Sequence, residues 1–193
     1  MMKMFLNPDK PLSTCKEHSC DDCNAKTLIH CHFNGKLLMR FLMIAFPCLL
    51  IAGIGIFRFN YLFILPWIIF TLLFFGFIEI RVLCSHCPHY AEPESKTLKC
   101  WANYGSPKIW KYRPGPMNIP EKIIFFSGIL FIFLYPVVLM AISQQFILLS
   151  LLMLFIIIGV SYMYRYMCKK CMNFACPFNC VPQETREIFS EHN

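Results

Sequence analysis

Four apolar segments, each about as long as a membrane-crossing helix, dominate this chain and restrict the folds open to it. They lie near residues 38–57, 61–80, 123–142 and 146–164. A helix of about 20 residues spans the roughly 30 Å hydrocarbon core of a bilayer. Charged residues make up only 15% of the chain, whereas soluble domains carry about 25%. The sequence therefore predicts an all-α membrane protein with four transmembrane helices.

Short polar interruptions divide the apolar sequence into two tandem helical hairpins. Residues 58–60 read Arg-Phe-Asn, and residues 143–145 read Ser-Gln-Gln. Connections this short join antiparallel helices. The predicted organisation is an N-terminal segment at 1–36, a transmembrane hairpin at 37–83, a central loop at 84–122, a second hairpin at 123–164 and a C-terminal segment at 165–193.

The basic residues predict which side of the membrane these segments occupy. All but one of the 18 Lys and Arg residues lie near the termini, in the central loop or at the adjoining helix ends. The exception is Arg58, in the first hairpin turn. The positive-inside rule therefore predicts a multi-pass protein of the cytoplasmic membrane with both termini in the cytoplasm. Contact with the lipid bilayer accounts for the net charge of +7, so no nucleic-acid partner is expected.

Eleven of the twelve cysteines lie outside the apolar segments, on the predicted cytoplasmic side. They are Cys15, Cys20, Cys23 and Cys31; Cys84, Cys87 and Cys100; and Cys168, Cys171, Cys176 and Cys180. The twelfth, Cys48, is predicted to be a packing residue of the first helix. A reducing compartment disfavours disulfides and favours thiolates that bind metal or react.

The C-terminal group places four cysteines within thirteen residues, with the spacing Cys168-x2-Cys171-x4-Cys176-Pro177-x3-Cys180. Four thiolates suit either tetrahedral Zn²⁺ or a [4Fe–4S] cluster. The segment resembles the bacterial ferredoxin run C-x2-C-x2-C-x3-C-P. It departs from that run because its second gap has four residues and its proline follows the third cysteine. Both metals remain open for this segment.

The other two groups combine cysteine with histidine. The middle group offers three thiols beside His86, which predicts a Cys3His zinc site or a cluster that shares ligands with the N-terminal group. In the N-terminal group, the order C-x4-C-x2-C resembles the spacing of plant-type ferredoxins. A zinc-binding tail is the competing interpretation of that group.

A short motif recurs at the cytoplasmic end of each hairpin. Residues 81–87 and 165–171 both follow the pattern R-x-x-C-x-x-C, and the two copies are 84 residues apart. The same offset aligns the two hairpins helix by helix. The pattern predicts an internal duplication in which both C-x-x-C pairs leave the membrane at one depth.

Two longer segments carry a wider resemblance. The first is LCSHCPHYAEPESKTLKCWANYGSPKIWKYRPGPMN at 83–118, and the second is CKKCMNFACPFNCVP at 168–182. Together they resemble a group of cysteine-rich polytopic membrane proteins of anaerobic bacteria and archaea. An anaerobic setting implies that oxygen-sensitive iron–sulfur clusters are favoured over zinc.

Three functions fit these patterns. The first is electron transfer at the cytoplasmic face through iron–sulfur clusters, with a soluble ferredoxin-like or flavoprotein donor and a membrane redox partner. The second is a structural zinc protein that recruits or assembles a partner. The third is thiol redox chemistry or metal handling by the C-x-x-C pairs. The expected role is electron transfer or an accessory function rather than stand-alone catalysis.

Few ionisable groups lie within the apolar segments, and none of them is histidine. The absence of histidine argues against a b-type haem between the helices. Glu79 lies close to the cytoplasmic end of the second helix, where we expect it to pair with Arg81 or Arg40.

Overall fold

The chain is a mostly helical, multi-pass membrane protein. A computed structural model describes residues 23–93 and 95–191, and within them the only β-type pairing is an isolated bridge between Thr97 and Pro107. Four helices in these ranges are long and apolar enough to cross a membrane. They are the first span, Gly35–Phe59; the second, Tyr61–His86; the third, Ile119–Ile142; and the fourth, Phe146–Lys170. Four spans at the predicted places are thereby confirmed.

Asparagine side chains fix where three of the spans begin. The Asn34 side chain accepts a hydrogen bond from the Lys36 amide at 2.9 Å, and Asn60 does the same for Leu62 at 2.9 Å. Asn118 and Glu121 form a reciprocal capping box at the start of the third span. Such caps satisfy amide groups that have no partner inside the helix.

The second and fourth spans extend beyond their predicted ends, residues 80 and 164. Each passes through a π-helical stretch, at Phe74–Ile78 and Met163–Met167. Each then ends in a 3-10 turn, at Cys84–His86 and Cys168–Lys170. Hydropathy falls at the arginine of each motif, whereas the backbone stays helical for about another turn. The first cysteine of each motif therefore belongs to a helix end rather than to a loop.

The spans approach one another closely where glycine faces a large side chain. The first span packs against the third and the fourth, and the third also packs against the second. A β-carbon added at Gly55 would lie 2.0 Å from Met140 Cε, and one added at Gly128 would lie 1.9 Å from Phe74 Cε2. Small residues at such crossings bring helices together where no water is present to drive their association.

Polar contacts between spans are few, and the outward faces are apolar. Trp67 Nε1 donates to the Ile132 carbonyl at 3.0 Å, joining the second span to the third. Gln145 Nε2 donates to the Gly55 carbonyl at 3.1 Å. Large apolar side chains such as Ile147, which is 80% exposed, face outward along the spans. Such faces suit contact with lipid.

The central loop folds back onto the ends of the spans. Its Trp101 ring lies 5.6 Å from that of Phe41 on the first span. Its Trp110 ring lies 4.9 Å from that of Phe77 on the second. Beyond the fourth span, a short helix at Gln183–Glu191 packs through Phe189 against the cysteine-bearing segments. Both connections lie over the end of the bundle that carries the cysteines.

Candidate functional site

The three cysteine segments meet at one end of the helix bundle, as far as they are described. The His30 amide donates to the Lys170 carbonyl at 2.7 Å, and Lys170 Nζ donates to the Thr27 carbonyl at 3.1 Å. Asn173 Nδ2 donates to the Leu83 carbonyl at 3.4 Å. These bonds join the N-terminal segment to the second motif and the second motif to the first. We call this region the thiol end; its described cysteines are Cys23, Cys31, Cys84, Cys87, Cys100, Cys168, Cys171, Cys176 and Cys180.

The two C-x-x-C motifs share a local backbone conformation. The residue before the first cysteine has φ −118° and ψ −55° at Leu83, and φ −99° and ψ −50° at Met167. The second cysteine is extended in both motifs, with φ −80° and ψ 139° at Cys87, and φ −79° and ψ 126° at Cys171. The sequence repeat is therefore matched by a repeat of backbone geometry.

Thiols from the two motifs lie within each other's electrostatic field. Burial raises the pKa of Cys87, and the neighbouring Cys100, Cys171 and Cys176 add to the rise. Burial also raises the pKa of Cys171, with further contributions from Cys100, Cys176 and Cys168. Thiolates crowded into a region of low dielectric repel one another. A bound cation would remove that repulsion, because it stabilises the deprotonated form of every thiol that it contacts.

Backbone amides provide donors to four of these sulfurs. Neighbouring amides lower the pKa of each thiol: that of His89 acts on Cys87, those of Ala102, Asn103 and Trp101 on Cys100, that of Asn173 on Cys171, and those of Phe178 and Asn179 on Cys176. Burial raises the pKa of Cys176 to about 12, and the Phe178 amide acts in the opposite direction. Such donors favour the thiolate, which is the form that binds metal.

Glu79 is buried beside these thiols, and the predicted ion pair with Arg81 or Arg40 is wrong. Within the described part of the chain its Oε2 has no hydrogen-bond partner, and the residue is only 9% exposed. Arg81 instead contacts Glu121, at 3.5 Å. Burial raises the pKa of Cys100, and the Glu79 carboxylate adds to that rise. A buried carboxylate in this position increases the negative potential around the thiols.

His86 belongs to a polar cluster between the central loop and the third span. Its Nδ1 lies 3.0 Å from the Gly115 carbonyl, and its Nε2 lies 3.3 Å from Glu121 Oε2 and 3.0 Å from Arg113 Nη2. Arg113 also pairs with Glu121 and donates to the Arg81 carbonyl at 3.1 Å. Both ring nitrogens of His86 are thus engaged. That His86 binds metal stays a prediction. To bind metal, one of its ring nitrogens would have to leave its present partner.

The remaining predicted ligands are distributed around this group. Cys15 and Cys20 lie outside the described residues. Cys23 and Cys31 pack against the apolar cluster that includes Cys87. The Cys180 amide donates to the Cys168 carbonyl at 3.1 Å, which closes the second cysteine segment on itself.

No three His, Cys, Asp or Glu side chains among residues 23–93 and 95–191 are arranged to hold a metal ion. The separate ligand sets expected from the sequence therefore stay predictions. The thiol end gathers the required donor types without placing them around one point.

Sequence reasoning missed two asparagines that organise the thiol end. Asn103 Nδ2 donates to Cys84 Sγ at 3.1 Å, and Asn173 joins the two motifs through the Leu83 carbonyl. These partners lie 19 and 90 residues apart in the chain. Local spacing gives no signal for such pairs, because only the folded loops bring them together.

Fold and site together define the class of this molecule as a four-span membrane helix bundle with thiols gathered at one end. No protein-family model, curated protein or solved structure matches the chain. The functional argument therefore depends on the chain's own residues.

Proposed function

We propose that this membrane protein binds iron–sulfur clusters, of the [4Fe–4S] type, at its thiol end and transfers electrons at the cytoplasmic face. The observation that carries the proposal is the convergence of cysteine segments from both hairpins at one end of the bundle. Burial and mutual repulsion disfavour the charged form of these thiols, and a bound metal would stabilise that form.

The cysteine spacing supports an iron–sulfur cluster. Zinc and a [4Fe–4S] cluster both take four thiolates, so the donor type alone does not separate them. The C-terminal and N-terminal groups resemble the cysteine runs of ferredoxins, and that resemblance favours the cluster.

The chain's own residues would set the properties of such a cluster. When bound, an iron–sulfur cluster supplies one-electron redox chemistry. Cysteines of the middle and C-terminal groups would hold it, and backbone amides such as that of His89 would donate to its sulfur ligands. Cys87 is 5% exposed, so the surrounding protein limits contact with water. A reduced ferredoxin-like protein or flavoprotein would supply the electron, and a membrane redox partner such as a quinone would receive it.

The proposal includes the orientation of the protein and its duplication. The distribution of Lys and Arg supports a cytoplasmic thiol end. The shared backbone of the two C-x-x-C motifs supports an internal duplication of the hairpin.

A structural zinc protein that recruits or assembles a partner is the second candidate. The amides near the sulfurs favour a zinc site as much as an iron–sulfur cluster, because they stabilise the thiolate ligands of either metal. Thiol redox catalysis by the C-x-x-C pairs has less support. Burial raises the pKa of Cys87 and Cys171, which lowers the fraction of reactive thiolate.

Anaerobic reconstitution of the full chain in detergent tests the proposal. One sample receives ferrous iron and sulfide, and a matched sample receives zinc alone. Electron transfer predicts a visible absorption that bleaches on reduction and an EPR signal in one redox state. Tight zinc binding without iron uptake would contradict electron transfer and support the structural zinc function. No binding of either metal would refute both functions.

A further inference from the structure

We propose that a groove between the second and third spans binds one anionic phospholipid, with an acyl chain in the groove and the charged headgroup beside Arg81. This lipid site is separate from the thiols. It goes beyond the proposed function and does not depend on a metal at the thiol end.

The groove is apolar and has a volume of about 410 Å³, which lies within the range of small-molecule sites. Its lining includes Phe70, Phe74 and Ile78 from the second span and Ile123, Ser127 and Phe131 from the third. The Ser127 hydroxyl donates to the Ile123 carbonyl of its own helix at 2.7 Å. The lining therefore suits a hydrocarbon chain better than a polar ligand.

The length of the groove matches an acyl chain that enters from the thiol end. Its inner end is closed by the rings of Phe70 and Phe131, whose centroids lie 4.4 Å apart. Residues 70–78 and 123–131 each extend over about 12 Å of helix. One leaflet of hydrocarbon is about 15 Å deep. A chain in the groove would thus follow the two spans through most of one leaflet.

Two arginines lie where the groove reaches the thiol end. Arg81 is less than one helical turn beyond Ile78, and its guanidinium lies 3.5 Å from Glu121 on the third span. Arg113 of the central loop pairs with the same carboxylate. Two positive charges therefore share one negative charge, while the Arg81 and Arg113 side chains remain 38% and 30% exposed. The remaining positive charge is complementary to a headgroup of net negative charge.

Aromatic contacts indicate that this charge lies at the level of the headgroups. The Arg81 guanidinium lies 5.6 Å from the centre of the Trp110 ring, which lies 4.9 Å from that of Phe77 on the second span. Tryptophan is enriched where hydrocarbon meets headgroups, and basic residues between spans at this boundary bind anionic headgroups. One phospholipid can therefore place its phosphate beside Arg81 and its chain in the groove.

Photocrosslinking of the wild-type chain tests the site. The full chain is placed in nanodiscs of phosphatidylcholine that contain a small fraction of phosphatidylglycerol with a diazirine in its acyl chain. Mass spectrometry should locate the cross-links mainly at residues 70–78 and 123–131. A phosphatidylcholine probe with the same chain should label these residues about fivefold less, the effect of one net charge. Equal labelling by both probes, or cross-links spread evenly over the outward faces, would overturn the proposal.

Filling the groove tests where the chain binds. Ser127→Phe adds a ring to the lining and should reduce labelling of the other groove residues to the level of the remaining outward faces. Ser150→Phe, at an exposed position of the fourth span outside the groove, is the matched control and should keep wild-type labelling. Equal labelling of the two variants would overturn the groove as the binding place.

Removing the charge tests the headgroup. Arg81→Gln should abolish the preference for phosphatidylglycerol over phosphatidylcholine while leaving the groove labelled. Lys122→Gln is the matched control, because Lys122 is exposed and its position on the helix lies opposite the groove-lining residues of the third span. A preference that survives in Arg81→Gln, or that is lost equally in Lys122→Gln, would overturn the assignment of the headgroup to Arg81. The wild-type comparison decides between the two lipids even if a variant fails to fold.

Competition separates the phospholipid from other occupants. An excess of decylubiquinone, a quinone with a short apolar tail, should leave the phosphatidylglycerol cross-links in place. Loss of the cross-links would assign the groove to a quinone. An unlabelled groove in nanodiscs that each hold two copies of the chain would assign it to a second copy. Either result would overturn the phospholipid site, and neither bears on metal binding.

Discussion

The Glu121 side chain makes several of the polar contacts at the thiol end. It is 7% exposed, pairs with Arg113 and Arg81, and accepts from the Asn118 amide at 3.1 Å. These contacts fasten the central loop to the start of the third span. A charge this well enclosed is stabilising only while its partners are present.

Glu121→Gln is expected to destabilise the protein by about 1–3 kcal/mol, because the amide keeps the size and capping role of the side chain but loses its charge. Unfolding of the full chain in mixed detergent micelles measures the change. Glu184→Gln, at an exposed position in the short C-terminal helix, is the control and should have no effect. Equal stability of the two variants would show that the Glu121 cluster contributes nothing.

Residue identity predicted that Glu79 pairs with Arg81 or Arg40, and the structure does not form that pair. Residues two positions apart on a helix, such as Glu79 and Arg81, do not face each other. Arg81 reaches Glu121 on another span, while Glu79 points toward the thiols. The sequence cannot show this, because the partner of Arg81 depends on how the second and third spans pack.

Helix crossings at glycine determine how the spans pack. Gly128→Ala would place a methyl group 1.9 Å from the Phe74 ring, so we expect a loss of about 1–3 kcal/mol. Gly76→Ala is the matched control, since its added β-carbon meets no atom within 4 Å. Detergent unfolding of both variants measures the difference. A Gly128→Ala protein as stable as Gly76→Ala would contradict the close crossing of the second and third spans at Gly128.

The Trp67 hydrogen bond joins the same two spans. Trp67→Phe removes the donor to Ile132 and is expected to cost about 0.6–2 kcal/mol in the unfolding assay. Trp110→Phe is the comparison, because within the described residues its Nε1 has no hydrogen-bond partner. Equal losses from the two substitutions would assign the effect to ring size rather than to the hydrogen bond.

Hydropathy was sufficient to locate the spans, because an apolar run of that length has few alternatives. It did not locate their ends, since the backbone stays helical past Arg81 and Arg165 into both thiol motifs. Spacing divided the cysteines into three groups along the chain, and their assignment to sites stays a prediction. It could not show that Cys87 and Cys171 lie in one environment, because the packing of loops and helix ends brings them together.

The described part of the molecule is asymmetric along the spans, with nine of its ten cysteines at one end and the two short turns at the other. A cytoplasmic thiol end predicts that a membrane-impermeant maleimide leaves the native cysteines of intact cells unlabelled. Gln144→Cys, in the exposed turn between the third and fourth spans, should be labelled under the same conditions. Labelling of native thiols in intact cells, with none at residue 144, would reverse the orientation.

Metal and acid-labile sulfide content of the wild-type chain, purified without oxygen and without reconstitution, tests the central claim most directly. The account predicts iron and sulfide in equal amounts, bound in fixed proportion to the chain and released together when the thiols are alkylated in denaturant. A chain that carries zinc and no sulfide would contradict electron transfer. A chain that carries no metal, with all of its cysteines free, would contradict metal binding at the thiol end.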